Sequence, residues 1–234
     1  MIEREPPYSI NRTIDRFARR IWFTHRVWYP AVIVRATARV AELKRRCDAR
    51  GVSVNAAFLK AMATALAEFP RLNYYAVRGR MVWGGEKSSV SIVVEKEPFE
   101  TCHHIRIEDA EGKTVEAIGQ EIAAGLANPV SPPNLAQRFM NAFPLLTYFF
   151  KWITGGIADD VMQNCGVAVL TNVHNPGIDE VITAGVYFTM ILTPGTIRDG
   201  RMPLCLSYNH ELANARPVAA YLARVKELLE KAEL

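Results

Sequence analysis

The sequence is poor in the residues that build cross-links and metal sites. It has four cysteines in 234 residues, with no CxxC pair, no disulfide-like spacing and no Cys/His cluster of the zinc type. The charged N-terminal stretch MIEREPPYS also lacks the apolar core of a secretory signal. We therefore expect a cytoplasmic protein with reduced thiols and no structural metal.

Long apolar runs, internal repeats and low-complexity linkers are also missing. The longest apolar segment, residues 135–153, is interrupted by Arg138, Pro144 and Lys151 and is shorter than the roughly 20 residues that a membrane-spanning helix needs. We predict an N-terminal arm over residues 1–10 and one domain over 11–234, with an apolar helical insertion at about 134–155.

The positive charge is concentrated at one end of the chain. The net charge is +4, and residues 1–50 hold twelve Lys/Arg against five Asp/Glu. A basic stretch can attract nucleic acid, but it is more often the solvated face of a helix. No zinc-finger spacing or RNA-binding signature accompanies it, so we predict no nucleic-acid partner.

Helix and strand patterns alternate in mixed order along the chain, without a regular βαβ rhythm. The pattern predicts an α/β (α+β) sandwich, in which a mixed β-sheet is flanked by helices. The expected helices cover about 11–28, 38–50, 54–69, 113–126 and 216–231. The expected strands cover about 31–37, 74–78, 80–84, 88–95, 102–107, 166–172, 183–192 and 202–208.

The helix at 54–69 is unusually apolar. Ser53 is a good N-cap because its hydroxyl can accept a backbone N–H, and Pro70 ends the helix. Nearly every position between them is small or apolar, so we expect the helix to be buried on most sides.

The last third of the chain contains a histidine at the end of a strand. The segment Leu204-Cys-Leu-Ser-Tyr-Asn-His-Glu-Leu-Ala-Asn-Ala215 runs from an apolar strand through His210 into an amphipathic helix. A histidine on a rigid strand end is well placed to move protons near neutral pH. Taken alone, such a histidine is more often structural or merely exposed.

This segment resembles the catalytic domain of the acyltransferases of 2-oxo acid dehydrogenase complexes and, more distantly, chloramphenicol acetyltransferase. The family pattern is a strand, then Asp-His-Arg-x-x-Asp-Gly-Ala, then a helix. Three further segments match in order. They are Tyr29-Pro-Ala-Val, the helix from Val54 to Asn73 with its Phe-Pro-x-x-Asn ending, and Cys165-Gly-Val-Ala-Val-Leu-Thr-Asn-Val173.

The resemblance implies a thioester-dependent acyltransferase. His210 would take the proton from a thiol, and Thr171, where the family has a serine, would stabilise the tetrahedral oxyanion. Asn214 stands where the family has an aspartate that pairs with an arginine near the N-terminus, here Arg12 or Arg16. The expected substrate is coenzyme A or acyl-coenzyme A, and the expected assembly is a homotrimer with the active site between subunits.

The motif around His210 departs from the family pattern at several positions. Glu211 replaces arginine, Asn214 replaces aspartate, and Ala215 replaces a glycine that is free to adopt positive φ. These changes leave an alternative open, namely a non-catalytic trimeric scaffold or binding module that kept the fold.

The apolar segment 135–153 looks like extra length relative to the dehydrogenase-complex enzymes, and it allows three interpretations. A helix pair packed on the sheet or at a trimer contact is the simplest. The other two are a lid over an acyl tunnel and a membrane-surface patch of aromatic side chains flanked by basic ones.

Overall fold

The computed structural model describes the greater part of the chain from residue 31 onward. The described residues are 31–77, 80–96, 101–128, 142–143, 146, 149, 165–172, 177–183, 189–210 and 212–232. Their strands are β1 (Ala31–Arg39), β2 (Tyr74–Val77), β3 (Arg80–Trp83), β4 (Ser89–Lys96), β5 (Thr101–Glu108), β6 (Ala168–Thr171), β7 (Met190–Pro194) and β8 (Arg201–Asn209). Their helices are α1 (Ala41–Arg50), α2 (Val54–Glu68), α3 (Val115–Ala127) and α4 (Ala215–Lys231), with a 3-10 turn at Pro70–Leu72.

Six of these strands form one mixed sheet in the order β1-β8-β7-β6-β4-β5, and β2 pairs with β3 in a separate hairpin. The central pairs β7–β6 and β6–β4 are parallel, whereas β1–β8, β8–β7 and β4–β5 are antiparallel. The predicted α/β architecture with a mixed sheet and flanking helices is confirmed.

Helix α2 is the centre of the helical layer. Nine of its fifteen residues are buried, as its apolar sequence predicts. The Ser53 hydroxyl accepts the backbone N–H of Asn55 at 3.2 Å, so the predicted N-cap is confirmed. The helix packs on β4 and β6 and against α3 and α4, which places it over the middle of the sheet.

Helix α4 closes the same layer over β1. Its buried stripe, which includes Val218, Tyr221, Leu222 and Val225, recurs at the three- and four-residue spacing of an amphipathic helix. The fully buried Tyr221 donates its hydroxyl to the Met62 carbonyl of α2 at 3.2 Å.

The two faces of the sheet have different surroundings. Apolar side chains on the helical face, such as Ile92, Leu170 and Leu206, join the main core. Val169 and Ile191, which point the other way along their strands, form a small second cluster with Cys165.

Two element boundaries differ from the sequence prediction by more than two residues. The helix predicted from residue 38 begins at Ala41, because β1 keeps its pairing with β8 as far as Arg39 and Arg201. The strand predicted over 183–192 is Met190–Pro194 in the described residues, and 181–183 are not in a strand. The helix predicted at 11–28, the arm and most of the insertion lie outside the described residues.

Candidate functional site

His210 stands at the end of β8, as the sequence predicts, and its side chain is exposed. The strand ends in a tight turn in which the Asn209 carbonyl accepts the N–H groups of Leu212 and Ala213 at 3.1 and 3.3 Å. The Asn209 N–H donates to the Thr189 carbonyl at 3.0 Å, which ties the turn to the start of β7. The backbone next to the imidazole is therefore held by hydrogen bonds to the turn that follows and to the residue before β7.

The ring of Tyr208 lies next to the imidazole of His210. Its side chain is 2% exposed, and its ring centroid lies 5.9 Å from that of His210 at an interplanar angle of 49°. Burial raises the pKa of the Tyr208 phenol, so this group stays neutral at physiological pH.

Asn214 is the N-cap residue of α4, and its side chain makes no capping hydrogen bond. The side chain is exposed beside the N-terminus of the helix, four residues after His210. Ala215 is the first residue of the helix and is not among the described residues with positive φ. The alanine thus brings no backbone strain where the family has glycine. Arg12, Arg16 and Glu211 lie outside the described residues.

Thr171 is half-buried at the carboxyl end of β6, opposite Val93 of the parallel strand β4. The next residue, Asn172, donates its amide Nδ2 to Oδ1 of Asn55 at 2.9 Å. Because Asn55 lies in the first turn of α2, this bond anchors the end of β6 to the positive end of a 15-residue helix. Thr171 is the residue immediately before this anchored position.

His210 lies just past the end of β8, whereas Thr171 lies level with Cys205 in the middle of that strand. Tyr208 of β8, Met190 of β7 and Ala168 of β6 lie side by side in one row of the sheet. His210 lies two positions beyond this row, and Thr171 lies three positions beyond it in the other direction. Five residues of rise and two strand spacings separate the two Cα atoms by about 19 Å. Within one chain the two side chains cannot act on the same carbonyl.

Among the described residues there is no metal centre, and Cys165 is not a reactive thiol. No group of three or more His, Cys, Asp or Glu side chains in the described ranges has the arrangement of a metal centre. Cys165 is buried, and its burial raises the pKa of the thiol to about 11, which keeps it protonated. None of the helices that the structure describes is long and apolar enough to cross a membrane.

Three residues near the candidate site were not singled out by sequence reasoning. Tyr208 precedes the histidine by two positions, but an apolar strand does not reveal which ring packs on which. The Asn55–Asn172 hydrogen bond joins residues 117 positions apart. Asn172 is part of the segment that resembles the family's Gly-x-x-Thr-Ile-Ser-Asn strand, and this resemblance could have indicated that Asn172 lies near the site.

No protein-family profile and no curated protein matches the chain by sequence. Solved structures do match along nearly the whole length. The truncated catalytic core of the 2-oxoacid dehydrogenase multienzyme complex from Thermoplasma acidophilum has a TM-score of 0.62 at 18% identity, with 100% of both chains covered. A chloramphenicol acetyltransferase has a TM-score of 0.61 at 16% identity, covering 94% of this chain and 96% of its own.

The fold is that of the chloramphenicol acetyltransferase-like acyltransferases. A third structure of this acyltransferase fold is the dihydrolipoamide acetyltransferase of Azotobacter vinelandii. Its TM-score is 0.59 at 19% identity, covering 98% of this chain and 92% of its own. The work on that enzyme concerns the catalytic role of a serine, a histidine and an asparagine four residues after the histidine.

Proposed function

We propose that the protein transfers an acyl group between a thioester, such as an acyl-coenzyme A, and an acceptor, with His210 as the general base. The observation that carries the proposal is the placement of His210. It is the exposed residue that follows a buried strand, in a turn held by hydrogen bonds at Asn209, within an acyltransferase fold that spans the chain.

The chemistry begins with a proton transfer. A thiol with an ordinary pKa near 8.5 is mostly protonated at neutral pH and is then a poor nucleophile. A ring nitrogen of His210 takes the thiol proton while the sulfur attacks the acyl carbonyl. When the tetrahedral intermediate collapses, the carbon–sulfur bond of the donor breaks and the leaving thiolate takes the proton back from His210.

Thr171 is the proposed donor to the oxyanion of that intermediate. A hydroxyl that donates to the developing negative charge is typically worth about 3 kcal/mol of transition-state stabilisation. Because about 19 Å separates the two residues in one chain, His210 of one copy must meet Thr171 of another. A cyclic homotrimer satisfies this requirement if each interface brings His210 of one copy next to Thr171 of the next copy.

Asn214 is the proposed third residue. It follows His210 by four positions, the spacing that the histidine and the asparagine have in the Azotobacter enzyme. Its exposed amide, which is not used for capping α4, is available to orient a neighbouring group by hydrogen bonding. An asparagine here is therefore compatible with a catalytic site.

The decisive experiment supplies a panel of acyl-coenzyme A donors and a small dithiol acceptor and measures free coenzyme A by chromatography, because a thiol acceptor loses one thiol for each coenzyme A that is released. We expect His210→Ala to lower kcat by at least about 100-fold, the usual minimum effect of losing a general base. Lys44→Ala is the control, since Lys44 is an exposed residue of α1 away from both strand ends, and it should keep wild-type rates.

Two results would count against the proposal. If an active donor is found and His210→Ala is unimpaired, His210 is not the base. If no donor is turned over and millimolar coenzyme A leaves the Tm unchanged, the non-catalytic scaffold is favoured, because a ligand that binds only the native state must raise its stability.

A further inference from the structure

A cavity lies in the helical layer, on the side of α2 that faces away from β4 and β6. Lys60 and Thr64 are the partly exposed residues in the otherwise buried stretch 56–66 of α2, and both line the cavity. Because they are four positions apart, they lie on the same side of the helix. The other walls come from α1, from the turn before α3 and from the end of α4, and the volume is about 540 Å³. Small-molecule sites commonly have volumes of roughly 300–1,000 Å³.

Three cationic side chains line this cavity. Arg46 and Arg50 come from α1 and Lys60 comes from α2, whereas Glu111 is the one carboxylate among the lining residues. The Lys60 ammonium donates to the carbonyl oxygens of Glu111 and Lys113, both at 2.7 Å. Since these acceptors are neutral and an ammonium has three N–H groups, Lys60 keeps its charge and one donor for a ligand.

The two arginines are also oriented before any ligand arrives. Arg46 donates its Nε to Glu42 at 2.7 Å, and Arg45 donates to the same carboxylate at 2.7 and 2.8 Å. Two guanidinium groups therefore share one negative charge, and one positive charge is in excess. Arg50 forms an ion pair with Glu116. A guanidinium has five N–H groups, so both arginines that line the cavity keep donors for a further acceptor.

This set of donors fits a phosphate group on a small organic molecule. The charges of Lys60 and Arg46 exceed that of Glu111, so the cavity favours an anion. The donors come from two helices, and a tetrahedral phosphate with three terminal oxygens can meet more of them than a carboxylate with two. A single phosphate ion is much smaller than the cavity, and the methyl groups of Ala61 and Leu228 line the remaining space.

We propose that the cavity between α1, α2 and α4 binds a small phosphate monoester, with Arg46, Arg50 and Lys60 as the ligands of its phosphate group. Because each of the three side chains is already held by another contact, binding costs little side-chain entropy.

This cavity is separate from the site proposed for acyl transfer. Leu170 lies in the core beneath the helices, so the next residue, Thr171, points from the opposite face of the sheet. Leu228 lies fourteen positions beyond Asn214, which places it about 20 Å along α4 from the turn that carries His210. An interface that joins His210 and Thr171 of two copies therefore does not require the outward side of α2.

The test is isothermal titration calorimetry of the full-length protein with phenyl phosphate. We expect phenyl phosphate to bind more tightly than inorganic phosphate, since its ring adds apolar contact, and we expect no binding of the uncharged benzyl alcohol. Lys60→Gln and Arg50→Gln should each weaken the binding of phenyl phosphate at least about tenfold, because each removes a charged hydrogen-bond donor. The Arg50 change disturbs only an exposed ion pair, so it tests the site even if Lys60→Gln fails to fold.

Lys44→Gln is the matched control, because it removes the same charge from an exposed position of α1 that does not line the cavity. It should bind phenyl phosphate as the wild type does, and so should His210→Ala. Equal losses for Lys44→Gln and Arg50→Gln would mean that general surface charge attracts the anion, and a wild type that binds no phenyl phosphate would overturn the proposal. Displacement of phenyl phosphate by coenzyme A would contradict the assignment of a separate site.

Discussion

At the scale of single residues, the proposed chemistry depends on an imidazole and a hydroxyl that are each fixed at the end of a strand. His210 rests against Tyr208, and the residue after Thr171 is tied to α2 by a hydrogen bond between two amides. The backbone at each of these strand ends is therefore already held in place before a substrate binds, which favours a preorganised site.

The hydroxyl of Thr171 can be tested without disturbing the packing around it. Thr171→Val removes the donor and keeps the side-chain shape, so we expect kcat to fall by about 100- to 1000-fold with little change in KM. Thr171→Ser keeps the donor and should retain most of the activity. Steady-state kinetics of the two variants check this, and equal rates for Val and Ser would exclude the hydroxyl from catalysis.

Gly166, two residues before β6, is required for a different reason. Its φ is +70°, and a Cβ added there would lie 2.5 Å from the Ser89 carbonyl oxygen. Gly166→Ala should lower the free energy of unfolding by more than the roughly 1–2 kcal/mol that positive φ costs an alanine.

Gly51→Ala is the matched control for this effect. Gly51 has a similar φ of +65°, but nothing lies within 4 Å of an added Cβ. Urea denaturation of both variants should show a clearly larger loss for Gly166→Ala. Equal losses would mean that the close approach to Ser89 is relieved by a small backbone shift.

At the scale of elements, α2 and α4 are joined by an exposed ion pair as well as by the core. Arg224 of α4 donates to both carboxylate oxygens of Glu68 in α2 at 2.8 Å. These hydrogen bonds hold the pKa of Glu68 below its ordinary value of 4.5, against the opposing effect of desolvation.

The sign of the resulting pH dependence follows from that direction. A carboxyl whose pKa is lowered in the folded state stabilises the protein above its unfolded pKa, and the contribution disappears as pH falls through the folded value. Glu68→Gln should therefore lower the Tm slightly at pH 7 and leave it unchanged at strongly acidic pH, where the wild-type carboxyl is protonated. Thermal melts of both proteins across this range check the prediction. A difference in Tm that persists at low pH would indicate packing instead of charge.

The order and type of the elements could be predicted from sequence because each has a strong local signal. The apolar run after Ser53, the Gly51 stop and the β-branched strands are such signals. The end of β1 could not be predicted, because its pairing with distant β8 extends the strand past the point where local propensity favours helix.

The histidine of the candidate site was predictable for the same reason, since His210 follows a distinct strand. The distance between His210 and Thr171 was not predictable from the sequence. The two residues are 39 positions apart in sequence, and only the register across β8, β7 and β6 reveals that about 19 Å separates them within one chain. Sheet register depends on long-range pairing, which a single sequence does not encode locally.

At the scale of the whole molecule, the proposed site requires an assembly. Within one copy His210 and Thr171 are too far apart to act together. In a cyclic trimer with heterologous interfaces, His210 of one copy meets Thr171 of the next copy at each interface. Activity in this arrangement belongs to the interface and not to the single chain.

Mixing two inactive variants tests this arrangement directly. His210→Ala and Thr171→Val copies, co-expressed with different affinity tags and purified through both, should recover part of the activity. Purification through both tags retains only mixed trimers, and in each of these about a third of the interfaces combine an intact His210 with an intact Thr171. Formation of free coenzyme A at about a third of the wild-type rate is expected. A rate no higher than the mean of the two separate variants would mean that both residues act within one copy or that one of them does not act.

The place of β8 in the sheet also affects how the chain can be synthesised and folded. β1 is the first described strand to leave the ribosome, yet its partner in the sheet, β8, is the last. Until residues 201–209 have been made, both β1 and the neighbouring edge of β7 lack their strand, and unpaired strand edges favour aggregation. A chain that stops shortly before β8 therefore lacks the strand that joins β1 to β7, although it contains most of the residues of the protein.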